Sequence, residues 1–238
     1  MPSWSIHLKV AKEVNKKLKV NKDLFYYGNL IPDVDKNTSI NRYVAHYYNE
    51  NLPYPTCPKE TMIDISHFKK DYLSCINNPL IMGYYCHILT DLFYNNAVYS
   101  KCWVQDEKNN IIGIKFKNGK VKKIDIEDKQ KLKRKYKHKD FELYGKYLYN
   151  NNELEIPTEK EIILNNIKYL KNSFLNEELV SNRLEYLKNT FYSFNKLSLI
   201  EKIFKHRYCL FTKNELDSLL NECVLYVLKE IQSTKDGE

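Results

Sequence analysis

At 238 residues with a formal net charge of +8, the chain is long enough to bury a core of its own without disulfide or metal support. Its six cysteines are scattered with no CxxC pair, which excludes a zinc ribbon and a disulfide framework, and no apolar run approaches the length of a membrane span. The positive charge favours an anionic partner such as a phosphate ester, nucleic acid or acidic surface, yet abundant Lys, Asn, Ile and Tyr beside scarce Gly and Ala is a pattern that A+T-rich codons produce unaided, so charge alone assigns no function.

In chain order, residues 3–18 read as a helix. Ser3 or Ser5 stands at its start, and Ile6, Val10, Val14 and Leu18 form an apolar stripe at every fourth position. His7 lies at the edge of that stripe, where a half-exposed surface histidine is the ordinary expectation, and Lys9, Lys12, Lys16 and Lys17 form a solvated face. Residues 22–30 form a short helix or turn. Gly28 there suits a left-handed helix ending, and Pro32 delivers Asp33 from a sharp, rigid turn, as a site residue or as a helix cap.

Residues 36–61, with Pro53, Pro55 and Pro58, show no sustained period and read as a long connecting loop with a helical turn near 42–48. His46 lies among Tyr43, Tyr47 and Tyr48 and reads as a packing residue; His67 comes later, in the triplet Ser66-His67-Phe68.

The run from Gly83 to Asn95 organises the chain. Ile81, Tyr84, Tyr85, Ile88, Leu89, Leu92 and Phe93 make the helix apolar nearly all round, yet His87 and Asp91 stand one turn apart on one face. Polar groups in such a place need a metal ion or a tight mutual hydrogen bond, and the spacing allows either.

Beyond it, Ile112, Ile114 and Phe116 alternate before a Lys117-Asn118-Gly119-Lys120 turn, and Val121, Ile124 and Ile126 come after it, so a β-hairpin is inserted at 111–126. Residues 127–149 return to helix. Their basic run, Lys129 to Lys139, leads into His138, Asp140 and Glu142, and His138 and Glu142 repeat the spacing of His87 and Asp91. Helices over 158–174, 177–194 and 212–232 carry apolar residues for packing, and His206 reads as a surface residue. The whole, 1–238, reads as one mainly α domain, with ligand-type residues in 1–150 and packing helices in 158–232. No leader sequence is visible, so a cytoplasmic location is expected.

His7 in Ser5-Ile6-His7-Leu8, Asp33 in Ile31-Pro32-Asp33, His67 in Ser66-His67-Phe68, and the Gly-Tyr-x-x-His-x-x-x-Asp helix from Gly83 to Asp91 resemble, in order and in wording, the zinc-dependent phospholipase C superfamily, which includes the single-strand-specific zinc nucleases. The resemblance covers the first hundred residues. It implies an all-helical bundle in which Asp33, His67, His87 and Asp91 form a first metal site, Asp91 bridges to a second ion also held by His7, and His138 with Glu142, or Asp140 in their place, supplies a late ligand. Two zinc ions are expected rather than three, with manganese or iron as alternatives.

The resemblance also implies a function: a metal-dependent phosphodiester hydrolase, with Asp33 accepting the proton of the attacking water and a phospholipid or nucleic acid as substrate. The HD-domain phosphohydrolases, also helical, need an adjacent His-Asp pair that this chain lacks. The competing reading is a basic helical protein that binds metal, or binds nucleic acid or anionic lipid through Lys129 to Lys139, without catalysis.

Overall fold

The structure is a computed structural model, and it describes residues 2–35, 41–49, 63–108, 111–124, 133–171, 175–191, 198 and 207–236. Nine α-helices lie among the described residues: α1 (Trp4–Leu18), α2 (Lys22–Gly28), α3 (Arg42–Ala45), α4 (Ile65–Tyr72), α5 (Pro79–Cys102), α6 (Lys139–Asn150), α7 (Lys160–Asn166), α8 (Glu177–Tyr186) and α9 (Lys213–Asp236). No helix among them is long and apolar enough to cross a membrane.

The apolar run of the central segment becomes α5, and every residue from Leu80 to Leu92 is buried. Pro79 at its first position and the Asn78 side chain, which accepts from the Leu80 amide, define where it starts. Helices α1, α2, α4 and α9, the 3₁₀ turn Ile31–Asp35 and the sheet all pack around it. Helix α1 lies against α2, α6 and α9 with Ile6, Val10 and Val14 inward, as their four-residue spacing requires.

The contact between α2 and α5 is made at two glycines. A Cβ on Gly28 would collide with the carbonyl of Leu80, and one on Gly83 would collide with the carbonyl of Phe25. Gly28 therefore does not end its helix in a left-handed turn as expected. It is helical, Asn29 after it is also right-handed, and what the position requires is the missing side chain.

The hairpin is present as β2 (Ile111–Lys115) and β3 (Val121–Lys123), joined through Gly119 at φ 81°. A third strand, β1 (Trp103–Gln105), continues from the end of α5 and pairs antiparallel with β2, Trp103 opposite Ile114, giving the order β1-β2-β3. Three residues are too few to show alternation, so β1 was not legible. Residues 36–40 and 50–61 of the expected loop, residues 125–126 of the expected hairpin, residues 129–132 of the basic run, and His206 lie outside the described residues.

Two of the later helices are shorter than their apolar spacing suggested, while α9 runs on to Asp236, past the expected end at 232. Helix α7 ends at Asn166, whose amide donates to the Ile162 carbonyl and whose carbonyl accepts from Asn78, a side-chain alternative to continuing the helix. Helix α8 passes into a π-helical turn, Leu187–Phe191.

Asp140 joins α6 to the segment before α9. Its carboxylate accepts from the backbone amides of Cys209 (2.6 Å), Leu210 (2.7 Å) and Phe211 (3.1 Å). Asp140→Ala leaves three amides without that acceptor, and a loss of about 3 kcal/mol is expected, read as an earlier denaturant midpoint at unchanged slope.

Candidate metal centre

Five side chains from four separate segments meet inside the bundle. His7 comes from the first turn of α1, Asp33 from the 3₁₀ turn after α2, His46 from the residue following α3, and His87 and Asp91 from the middle of α5. His7, His46, His87 and Asp91 have no exposed surface, and Asp33 is 4 % exposed.

Asp91 is the hub. Its Oδ1 lies 3.4 Å from His7 Nε2, while its Oδ2 lies 3.7 Å from His87 Nε2 and 3.9 Å from His46 Nε2. His46 Nε2 is also 3.4 Å from Asp33 Oδ1. The His7 and His87 rings stack 3.9 Å apart at 4°, and the His46 and His87 rings meet at 67°. In two sets, His7 with Asp33 and His87, and His46 with His87 and Asp91, the ligand atoms all fall within 4.8 Å of one another.

The hydrogen bonds behind the rings settle which nitrogen faces the cluster. His87 Nδ1 donates to the Asn29 carbonyl at 2.7 Å, and His46 Nδ1 to the Arg42 carbonyl at 3.1 Å, so Nε2 of each ring presents a lone pair inward. With its amide turned to satisfy both neighbours, the buried Asn29 side chain donates to the His7 carbonyl and accepts from the His87 amide, tying α1 to α5 at the height of the two rings. Gly28 and Gly83 allow this, because the approach of α2 to α5 is what brings Asn29 to His87.

Both nitrogens of His7, Nε2 of His87 and both oxygens of Asp91 are buried without a hydrogen-bond partner. Each such atom costs about 1–3 kcal/mol, and several lone pairs pointing at one another compound the penalty. A divalent cation, which needs acceptors only, would take one lone pair from each ring together with the Asp91 oxygens. Burial, helped by His7, holds the His87 imidazole down to about 3, so its lone pair is available near neutrality. Burial alone would raise the carboxyls of Asp33 and Asp91. The adjoining histidines together outweigh it, His46 foremost at Asp33 and His7 foremost at Asp91 with His87 adding to both, and the two carboxyls sit well below the usual range. The donor set is three imidazoles with two carboxylates, a chemistry that fits zinc and tolerates manganese or iron.

His67, expected among the ligands, is not brought here. Helix α4 turns Phe68 and Tyr72 to the core, which leaves the His67 side chain 60 % exposed, 3.8 Å from Asp71 and edge-on to Tyr47. His46, read from sequence as packing, occupies the cluster. Its aromatic neighbours are the reason it can: Tyr48 stacks on the ring at 5.4 Å, and the Tyr84 hydroxyl of α5 donates to the Ala45 carbonyl at 2.6 Å, pinning this short segment over the site. His7 is fully buried rather than half-exposed.

The late residues also fall elsewhere. Asp140 is committed to three amides, Glu142 is exposed, and His138, half-buried, belongs to neither ligand set. From that element it is Lys137 that reaches α5, its buried Nζ donating to Asn95 Oδ1 at 3.0 Å, one turn beyond Asp91. Burial lowers the pKa of this ammonium.

No family model, no curated protein and no solved structure matches the chain.

Proposed function

We propose that the protein is a metal-dependent phosphodiester hydrolase of the zinc-dependent phospholipase C type. The observation that carries this reading is the convergence of His7, Asp33, His46, His87 and Asp91 at one buried place, where ring nitrogens of His7 and His87 and both oxygens of Asp91 have no hydrogen-bond partner. Asp91 faces two ways, Oδ1 to His7 and Oδ2 to His87 and His46. A metal ion would be held by His46, His87 and Asp91 or by His7, Asp33 and His87, the two sets whose ligand atoms lie together.

Bound there, a metal would supply the Lewis acidity that acidifies a water and offsets charge on a phosphate. His46 and His87 are held to one tautomer by main-chain carbonyls, so they present lone pairs without rearranging. Asp33, beside Arg42, is the carboxylate that would take up the proton of the attacking water or orient that water. A phospholipid or a nucleic acid would both present the diester.

Zinc- or manganese-loaded protein is tested on bis-p-nitrophenyl phosphate, short-chain phosphatidylcholine and single-stranded DNA. Turnover of at least one is expected, and Asp33→Asn is expected to lower it by about 10²–10⁴-fold, the usual worth of a general base, with metal content retained. Absence of turnover on all three by loaded protein near neutral pH leaves a metal-binding protein without this chemistry.

A further inference from the structure

One cation already sits on the ligand atoms. Arg42 Nη2 lies 3.3 Å from Asp33 Oδ1 and 3.2 Å from His46 Nε2. Because His46 Nδ1 donates to the Arg42 carbonyl, Nε2 is an acceptor, and the guanidinium is donating into the same lone pair that a metal would use. An imidazole nitrogen has one lone pair. Arginine and metal therefore exclude each other at His46, and the positive charge of one opposes the other at Asp33.

The side chain has somewhere to go. The Arg42 side chain is 34 % exposed where the Asp33 side chain is 6 %, so the guanidinium approaches from the outer side of the cluster. Its backbone is fixed, because Tyr84 holds the Ala45 carbonyl and His46 holds the carbonyl of Arg42 itself. Displacement thus moves the side chain alone and leaves a guanidinium at the rim of a cationic centre. That arrangement favours an anion between the two charges. A second guanidinium lies on the same residue: Arg183 Nη2 donates to the main-chain carbonyl of Asp33 at 3.2 Å, and its planar group is seated 4.4 Å from the Trp4 ring centre. Two planar forks beside one centre match the paired non-bridging oxygens of a phosphate diester.

We propose that Arg42 is a displaceable counter-ion, holding Asp33 and His46 in the metal-free protein and turning, once metal is bound, to grip the non-bridging oxygens of a phosphodiester. This rests on the metal-centre reading and adds to it the residue that recognises the anion.

The test titrates zinc by calorimetry into metal-stripped wild type, Arg42→Ala and Arg42→Lys, then titrates dimethyl phosphate into each zinc-loaded protein. Loss of the competitor should make Arg42→Ala bind zinc about tenfold more tightly, and loss of the fork should make it bind dimethyl phosphate about tenfold more weakly. Opposite signs from one substitution are what a merely structural arginine does not produce. Arg42→Lys, which keeps the charge and guards against a folding defect in the alanine variant, should bind zinc with an affinity between the two and still lose most of the phosphate affinity. Unchanged or weaker zinc binding in both variants, or unchanged dimethyl phosphate binding, overturns the assignment of Arg42 while leaving the metal centre standing. Failure of wild type itself to take up zinc overturns the metal centre and this inference with it.

Discussion

Gly83→Ala lowers the melting temperature of the metal-free protein by about 6–12 °C, a loss of roughly 3 kcal/mol at the 2–4 °C per kcal/mol usual for a chain of this size. The new Cβ strikes backbone. Besides the Phe25 carbonyl oxygen, it meets the Phe25 carbonyl carbon at 2.9 Å and the Asn29 nitrogen at 3.0 Å, and none of these can turn away as a side-chain tip would. Helix α2 must retreat as a body. Alanine is otherwise the better helix former by about 1 kcal/mol, so a variant as stable as wild type would show that the two helices separate freely and that their close contact stabilises nothing. The retreat also draws the Asn29 carbonyl away from His87 Nδ1, now 2.7 Å from it, so metal affinity should fall although Gly83 touches no ligand atom.

Zinc at about one hundred times its dissociation constant is expected to add about 2.7 kcal/mol, or roughly 5–11 °C, to the stability of the wild-type protein. Asp91→Asn should abolish the rise. It preserves volume but removes the charged oxygens that face His7 on one side and His46 and His87 on the other. His46→Ala should reduce the rise sharply, by more than the roughly 10–100-fold in affinity that an outer-shell partner is worth. His67→Ala should leave it intact, because that ring stands in solvent against Asp71. A full rise in Asp91→Asn, or a lost one in His67→Ala, would place the metal elsewhere.

The contrast between His46 and His67 shows where sequence reading stops. His87 and Asp91 were legible because their spacing and the apolar turns around them are local facts, whereas the four-residue stripe of α1 put His7 only at its edge, as a half-exposed residue, and the family resemblance alone named it a ligand. Asp33 was legible from its rigid turn. His46 had no such signal, since what carries it inward is the hydroxyl of Tyr84, thirty-nine positions from the carbonyl it holds. His67 had a familiar neighbourhood, but which way α4 faces is decided by Phe68 and Tyr72 meeting Tyr84 and Tyr85. The pair His138 and Glu142 repeated the right spacing on a helix whose inward face is set instead by Asp140, Phe141 and Tyr144. The mainly helical architecture and the inserted hairpin were readable for the same reason as His87: each is a periodicity. The Gly28 to Gly83 contact is not, because it pairs two positions far apart in the chain, and a single glycine reads most simply as a turn.

The rings of His46 and His87 are both backed by main-chain carbonyls, those of Arg42 and Asn29, where a carboxylate would serve equally well as a hydrogen-bond acceptor. An anionic backing pushes electron density through the imidazole and makes the ring a stronger donor; a peptide carbonyl does so far less. An ion coordinated by these two rings would therefore stay electron-poor and keep more of its power to acidify a water. Because a carbonyl belongs to every residue type, no single side-chain substitution at position 29 or 42 deletes the acceptor, and the electronic setting of the two ligands is encoded in the path of the backbone.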